Sequence, residues 1–130
     1  MTAIKNNNQF PSRSRLKEKT DFDAVFSGCR RSADRFFTVL YRPNDLGYPR
    51  IGLAIAKKKI PRAVARNRLK RLARESFRRN MAELENFDIV MMAKTPADTA
   101  ANPELHSSLA RHWQRIKKDN VHLKPKGQND

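Results

Sequence analysis

With a single cysteine in 130 residues, Cys29, the chain can form no intramolecular disulfide and no cysteine-based metal cage. That usage fits a reducing cytoplasm. Acids are scarce as well: 13 Asp and Glu stand against 28 Lys and Arg, a formal net charge of +15. Such an imbalance makes the free chain repel itself and draws it to polyanions, so salt or a bound polyanion should stabilise it. Long apolar runs are missing. The opening MTAIKNNNQFPSRSR lacks the stretch of about seven apolar residues that a signal peptide needs, and nothing approaches the ~20 of a membrane span. A soluble, cytoplasmic protein without membrane association is expected. Hydrophobic residues make up 38% of the chain, enough for one modest core in one domain.

Catalytic motifs are absent too. His106, His112 and His122 are not spaced as a zinc pair on a helix face, and HExxH, paired-Cys and GxSxG patterns do not occur. The acids are scattered rather than clustered as a pair of magnesium ions would require. Asp21 and Asp23 come closest, at a helix start where acids serve as caps. His112 beside Trp113 reads as helix surface rather than as a base. The polypeptide is therefore assigned no catalytic residue, no metal ligand and no cofactor of its own.

What is present is a basic run. From Lys57 to Arg79, KKKIPRAVARNRLKRLARESFRR, eleven Lys or Arg residues accompany a single acid, Glu75. On a helical wheel Ala65, Leu69, Leu72, Ala73 and Ser76 form a stripe to bury, with Pro61 in the first turn. Arg62, Arg66, Asn67, Lys70, Arg71, Arg74 and Arg78 fill the opposite side, and Arg68 and Arg79 flank the apolar arc. A merely solvated helix face would carry acids in i, i+4 pairs; this one does not. The pattern points to nucleic acid, with arginine forks suited to phosphates and a log K falling by about 0.7–0.9 per phosphate neutralised as log salt rises.

Around this helix the chain alternates. Residues 1–14 read as a flexible basic arm. Thr20 or Asp21 can cap a short helix that places Phe22, Val25 and Phe26 on one face before Gly28. A strand is predicted over Arg35–Tyr41. The turn-rich RPNDLGYP suits a connection between neighbouring antiparallel strands. In the strand Arg50–Ala56, Ile51, Leu53 and Ile55 face a core. Gly52, Ala54 and Ala56 leave the other face nearly bare, open either to close helix packing or to a ligand's approach. Phe22 and Phe26 are likewise either core rings or platforms for unpaired bases. Phe87–Lys94 predicts a buried strand, and about Pro103 to Lys118 a helix burying Leu105, Leu109, Trp113 and Ile116. Residues 119–130 are a polar tail. The expectation is one α+β domain over 15–118, a small mixed sheet packed with helices in the order α-β-β-α-β-α, with one extra short strand possible.

The segment RIGLAIAKKKIPRAVARNRLKRLARESFRR resembles the signature of the bacterial ribonuclease P protein family: Arg66-Asn67-Arg68, Lys70-Arg71, Lys57-Lys58 and Arg74 to Arg78. Upstream, Arg15-Leu16, Asp21-Phe22 and Val25-Phe26 resemble it too. The resemblance implies a fold like the second domain of a ribosomal small-subunit protein, with a left-handed βαβ crossover where handedness rules favour the right-handed form in about 98% of units. It implies a protein that assists a catalytic RNA in removing the 5′ leader of precursor tRNA, with magnesium required by the RNA and one protein per RNA. Lys57, Lys58, Arg62, Arg66, Asn67, Arg68, Lys70, Arg71 and Arg74 become the RNA-binding set. Phe22 and Phe26 become aromatics of a leader cleft floored by Gly52, Ala54 and Ala56, completed by Phe37, Val39 or Tyr41. A general RNA-binding or ribosomal structural protein is the alternative, and a protein-only nuclease the least supported.

Overall fold

The computed structural model describes residues 12–123, with side chains as far as Asp119. Its regular elements are α1 (Lys19–Ser27), β1 (Arg30–Ala33), β2 (Phe37–Pro43), β3 (Arg50–Ala54), α2 (Ala63–Arg79), β4 (Phe87–Ala93) and α3 (Asn102–Leu123), with 3-10 turns at Ser12–Ser14, Met81–Leu84 and Thr95–Asp98. The sheet runs β1-β2-β4-β3. β4 pairs antiparallel with β2 and parallel with β3, so α2 is the crossover between adjacent parallel strands. The extra short strand is β1.

Each sheet face has its own cover. Phe37, Val39 and Tyr41 of β2, Ile51 of β3 and Phe87, Ile89 and Met91 of β4 meet Ala65, Leu69, Ala73 and Phe77 of α2 and Leu105, Leu109, Trp113 and Ile116 of α3. Each large side chain buried here contributes about 1.5–3 kcal/mol. The Trp113 indole N–H donates to Ser76 Oγ at 2.7 Å, so the ring is buried without an orphan donor. On the opposite face the shorter α1 presses Val25, with Leu16, onto Leu40 and Val90.

Several expectations are corrected. β2 and β3 are not neighbours, because β4 lies between them; the loop after β2 carries the chain past the place that β4 later fills. Thr20 and Asp21 lie inside α1, whose N-cap position is Glu18, without a capping side-chain bond. Asp21 faces Arg50 at 3.6 Å instead. Pro61 precedes the α2 N-cap residue Arg62 rather than entering the first turn. Phe77, not Ser76, completes the buried stripe of α2, while Leu72 and Ser76 are half-buried. The stretch after α2 stays packed, with Leu84 fully buried. Ser12–Ser14, assigned to the arm, form a turn with Ser14 buried, and Leu16 N–H donates to Ile51 O at 2.9 Å. α3 continues past Lys118 into the expected tail. Residues 1–11 of the arm and 124–130 of the tail lie outside the described residues.

His112 is the largest correction among the titratable groups. It is fully buried under β1, with Nδ1 2.7 Å from Ser32 Oγ. Arg115 also donates to that hydroxyl, at 3.0 Å. Nε2 lies 3.3 Å from Asp34 Oδ1 without hydrogen-bonding alignment. Burial lowers the His112 pKa, and the Asp34 charge offsets only part of that. Burial alone would raise Asp34, but hydrogen bonds from Ser108 and the N–H groups of Phe37 and Phe36, with the His112 charge, hold it at about 2.

Both shifts make the unfolded chain the better proton acceptor, so stability falls with acid. The His112 contribution is complete above its unfolded pKa of 6.5 and is lost as pH drops below it. That of Asp34 is lost between 3.8 and about 2. Urea unfolding as a function of pH should therefore show stability declining already as pH falls below 6.5, and His112→Gln should flatten that limb while leaving the more acidic one in place.

Candidate nucleic-acid interface

The strand register sorts the α1 side of the sheet into three rows. Arg50, Asp88 and Arg42 form a polar row in which Arg50 makes a fork on Asp88 at 2.9 and 2.7 Å and Arg42 donates to Ala24 O at 3.0 Å. Gly52, Val90, Leu40 and Arg31 form the next, roofed by α1. Ala54, Met92, Thr38 and Ala33 form the third, on which no helix of the described residues lies. Asp21 and Ala24 turn α1's one flank to the polar row, so its other flank, at i and i+4 on the helix, turns Phe22 and Phe26 toward the third. The result is a groove floored by Ala54, Met92, Thr38 and Ala33 and walled by two rings.

The rings differ in what they are free to do. A Cβ placed on Gly52 would come within 2.5 Å of Phe22 Cζ and 2.6 Å of Cε1; the ring occupies the space a side chain would take. Phe22 is thus half-buried packing, while Phe26 stays 47% exposed. Gly52 lies beneath Phe22, Ala54 is open floor, and Ala56 falls beyond the strand end, exposed. None of Phe37, Val39 and Tyr41 reaches this groove. All three face the α2–α3 core, and the β2 residues on the groove side are Thr38 and Leu40.

Beside β3, α2 brings its cations to bear. Lys70 and Arg74 line a concavity of about 360 Å³ with Arg15, Lys17 and the Phe22 ring, and no acid borders it. Burial and the neighbouring Arg15 charge lower the Arg74 pKa. A cation held in such company gains from an anion. Arg15 and Lys17 were not in the expected RNA-binding set; only the parallel bridge between Arg15 and Ile51 brings them there. Asn67 and Arg71 stand exposed near Val64, which is 69% exposed despite being apolar. Lys57 and Lys58 are exposed in the turn after β3.

Three of the expected set are engaged internally. Arg68 is turned inward: its guanidinium donates to the carbonyls of Ala97, Asp98 and Ala100 at 3.3, 3.1 and 3.2 Å and to Asn102 Oδ1 at 2.6 Å. It ties α2 to the start of α3. Arg66 caps the carbonyls of Ile60 and Pro61 at 2.9 and 2.8 Å, with one edge of its fork so used. Arg62 lies 3.8 Å from Asp98. Glu75, the lone acid, holds Arg78 and Arg79, which removes both from the free charge. Among the described residues, no three His, Cys, Asp or Glu side chains stand close enough to share a metal ion, and no helix is long and apolar enough to cross a membrane.

Comparison with known proteins gives one answer. The family model described as Ribonuclease P matches residues 10–117. A protein of Methylococcus capsulatus named "Ribonuclease P protein component" is 48% identical over 104 residues, 80% of this chain and 81% of that one. One of the same name from Pseudoalteromonas translucida is 44% identical over 102 residues, 78% of this chain and 73% of that one. Among solved structures, the RNase P protein of Staphylococcus aureus superposes with a TM-score of 0.72 at 30% identity, over 81% of this chain and 95% of that one. That of Thermotoga maritima gives 0.71 at 31%, over 78% and 96%.

Two substitutions test the structural side of this geometry. Gly52→Ala should displace the Phe22 ring and cost about 1–3 kcal/mol in urea unfolding. Arg68→Ala, by leaving buried carbonyls unpaired, should cost a similar ~1–3 kcal/mol, whereas Arg71→Ala should leave the unfolding midpoint unchanged.

Proposed function

The chain belongs to the ribonuclease P protein family, and from that membership we infer its work: it is the RNA-binding protein subunit of ribonuclease P, the endoribonuclease that removes the 5′ leader of precursor tRNA. Its partner is the ribonuclease P RNA. The polypeptide supplies position and charge, and the cutting is assigned to the RNA with magnesium held there. One protein per RNA, in the cytoplasm, completes the reading.

Two surfaces divide the task. The cations of α2 and its flanks (Lys57, Lys58, Asn67, Lys70, Arg71 and Arg74, with Arg15 and Lys17 around the concavity) dock on phosphates of the RNA subunit. Charge delivered there replaces charge that the RNA would otherwise draw from magnesium, which lowers the magnesium requirement. The groove beside α1 takes the leader. The observation that carries this part is the partly open row Ala54–Met92–Thr38–Ala33 beside the exposed Phe26. An unpaired strand can lie along this row while a base stacks on the ring. Holding the leader, which every precursor has, broadens the range of tRNAs accepted. No observation favours a general ribosomal role.

In the reconstituted holoenzyme, precursor tRNA should bind more tightly than mature tRNA, and adding the protein should lower the magnesium needed for cleavage. Equal affinity for both RNAs together with an unchanged magnesium requirement would sink the reading. Phe26→Ala should weaken precursor binding by about 1–3 kcal/mol without loss of stability. Arg71→Ala should reduce the slope of log K against log salt for the RNA subunit by about 0.7–0.9.

A further inference from the structure

The groove has two ends, and only one is served by the basic run. At the β3 end stand Lys57 and Lys58. From there the floor crosses β3, β4, β2 and β1, three strand spacings or about 14 Å, and at the far edge is Arg31. Its register is fixed: Arg31 pairs with Leu40, so it stands on the groove face of β1, at the end of the row that α1 roofs. Nearby arginines are committed elsewhere. Arg30, on the opposite face, lies 3.4 Å from Asp119, Arg42 holds Ala24 O, Arg50 holds Asp88, and Arg115 holds Ser32 Oγ and Ala33 O. Arg31 is exposed, and its side chain makes no hydrogen bond or ion pair with any described residue.

We propose that Arg31 is the distal phosphate anchor of the leader, so that the RNA strand crosses the sheet at right angles to its strands, tethered by Lys57 and Lys58 at one end and by Arg31 at the other. The inference rests on the leader-groove reading given above. In the middle of the path the one cation on the floor strands, Lys94 beyond Met92, is held by Asp34 O at 2.6 Å, and Phe26 is the exposed ring, so bases lie over the floor while phosphates are held at the two rims. An arginine fork at the edge of the sheet can grip two phosphate oxygens of a strand passing over the rim. The layout also implies a measuring function: a leader too short to span the floor never meets Arg31.

A series of precursor tRNAs with leaders of increasing length, bound to holoenzymes carrying the unaltered protein, Arg31→Ala or Arg31→Lys, tests this. The expected result has the unaltered protein gaining affinity with length up to a plateau. Arg31→Ala follows it for the shortest leaders, then falls about fivefold behind for long ones, with a salt slope shallower by about 0.7; Arg31→Lys restores most of the difference. If Arg31→Ala tracks the unaltered protein at every length while that protein still distinguishes lengths, the anchor is wrong and the groove stands. If the unaltered protein shows no length dependence, the groove reading itself fails. A loss of equal size for leaderless tRNA, or a lowered unfolding midpoint for Arg31→Ala, would also overturn the assignment, since it would place Arg31 on the RNA subunit or in the fold.

Discussion

The contact between Phe22 and the bare backbone of Gly52 sets the geometry on which the working face depends. A glycine in a strand interior costs conformational entropy and removes a packing side chain. Here the space so left is filled by a ring from another element, with two ring atoms where a Cβ would lie. Seating Phe22 there fixes how far α1 descends and how it is rotated. Val25 then falls on Leu40 and Val90, Asp21 on Arg50, and Phe26 is left over the floor. A larger residue at position 52 would lift α1 and unmake the groove from its end.

Charge is the second organising constraint. α2 has one acid among its basic residues, and that acid is used locally, on Arg78 and Arg79. What secures so repulsive a helix is its other side, where Ala65, Leu69, Ala73 and Phe77 are buried and Arg68 reaches around to the carbonyls ahead of α3. Neighbouring positions on one helix thus do two opposed jobs. Arg68 satisfies carbonyls within the fold, and Asn67 beside it is left to solvent.

Much of this could be read in the chain. β4 and α3 stood out because a bounded apolar run and an i, i+4 stripe have few other interpretations, and the two-sidedness of α2 followed from its wheel. Other features depend on residues far apart in sequence. β1, RRSA, has no apolar alternation and exists through its pairing with β2 and the Ser32–His112 bond, whose partners are 80 positions apart. For the same reason a buried His112 looked like helix surface. In β2 nearly every residue is buried on one face or the other, so a period of two could not say which face held the groove. Leu40 was passed over for its aromatic neighbours. The separation of β2 from β3 by β4 leaves no local trace at all. The basic wheel could place Arg68 at the edge of the apolar arc, but not tell that its fork turns inward, since its acceptors are backbone oxygens.

Every open sheet has two edges on which another chain could add a strand. In this one, β3 is closed at its start by the segment that carries Arg15 and Leu16, whose N–H takes the Ile51 carbonyl. Among the described residues no strand or segment pairs with the outer edge of β1. That strand is four residues long and begins with two arginines, and a second copy approaching in register would bring its own arginines against them, in a protein already at +15. The arginines at this edge thus work against a second copy adding a strand along it.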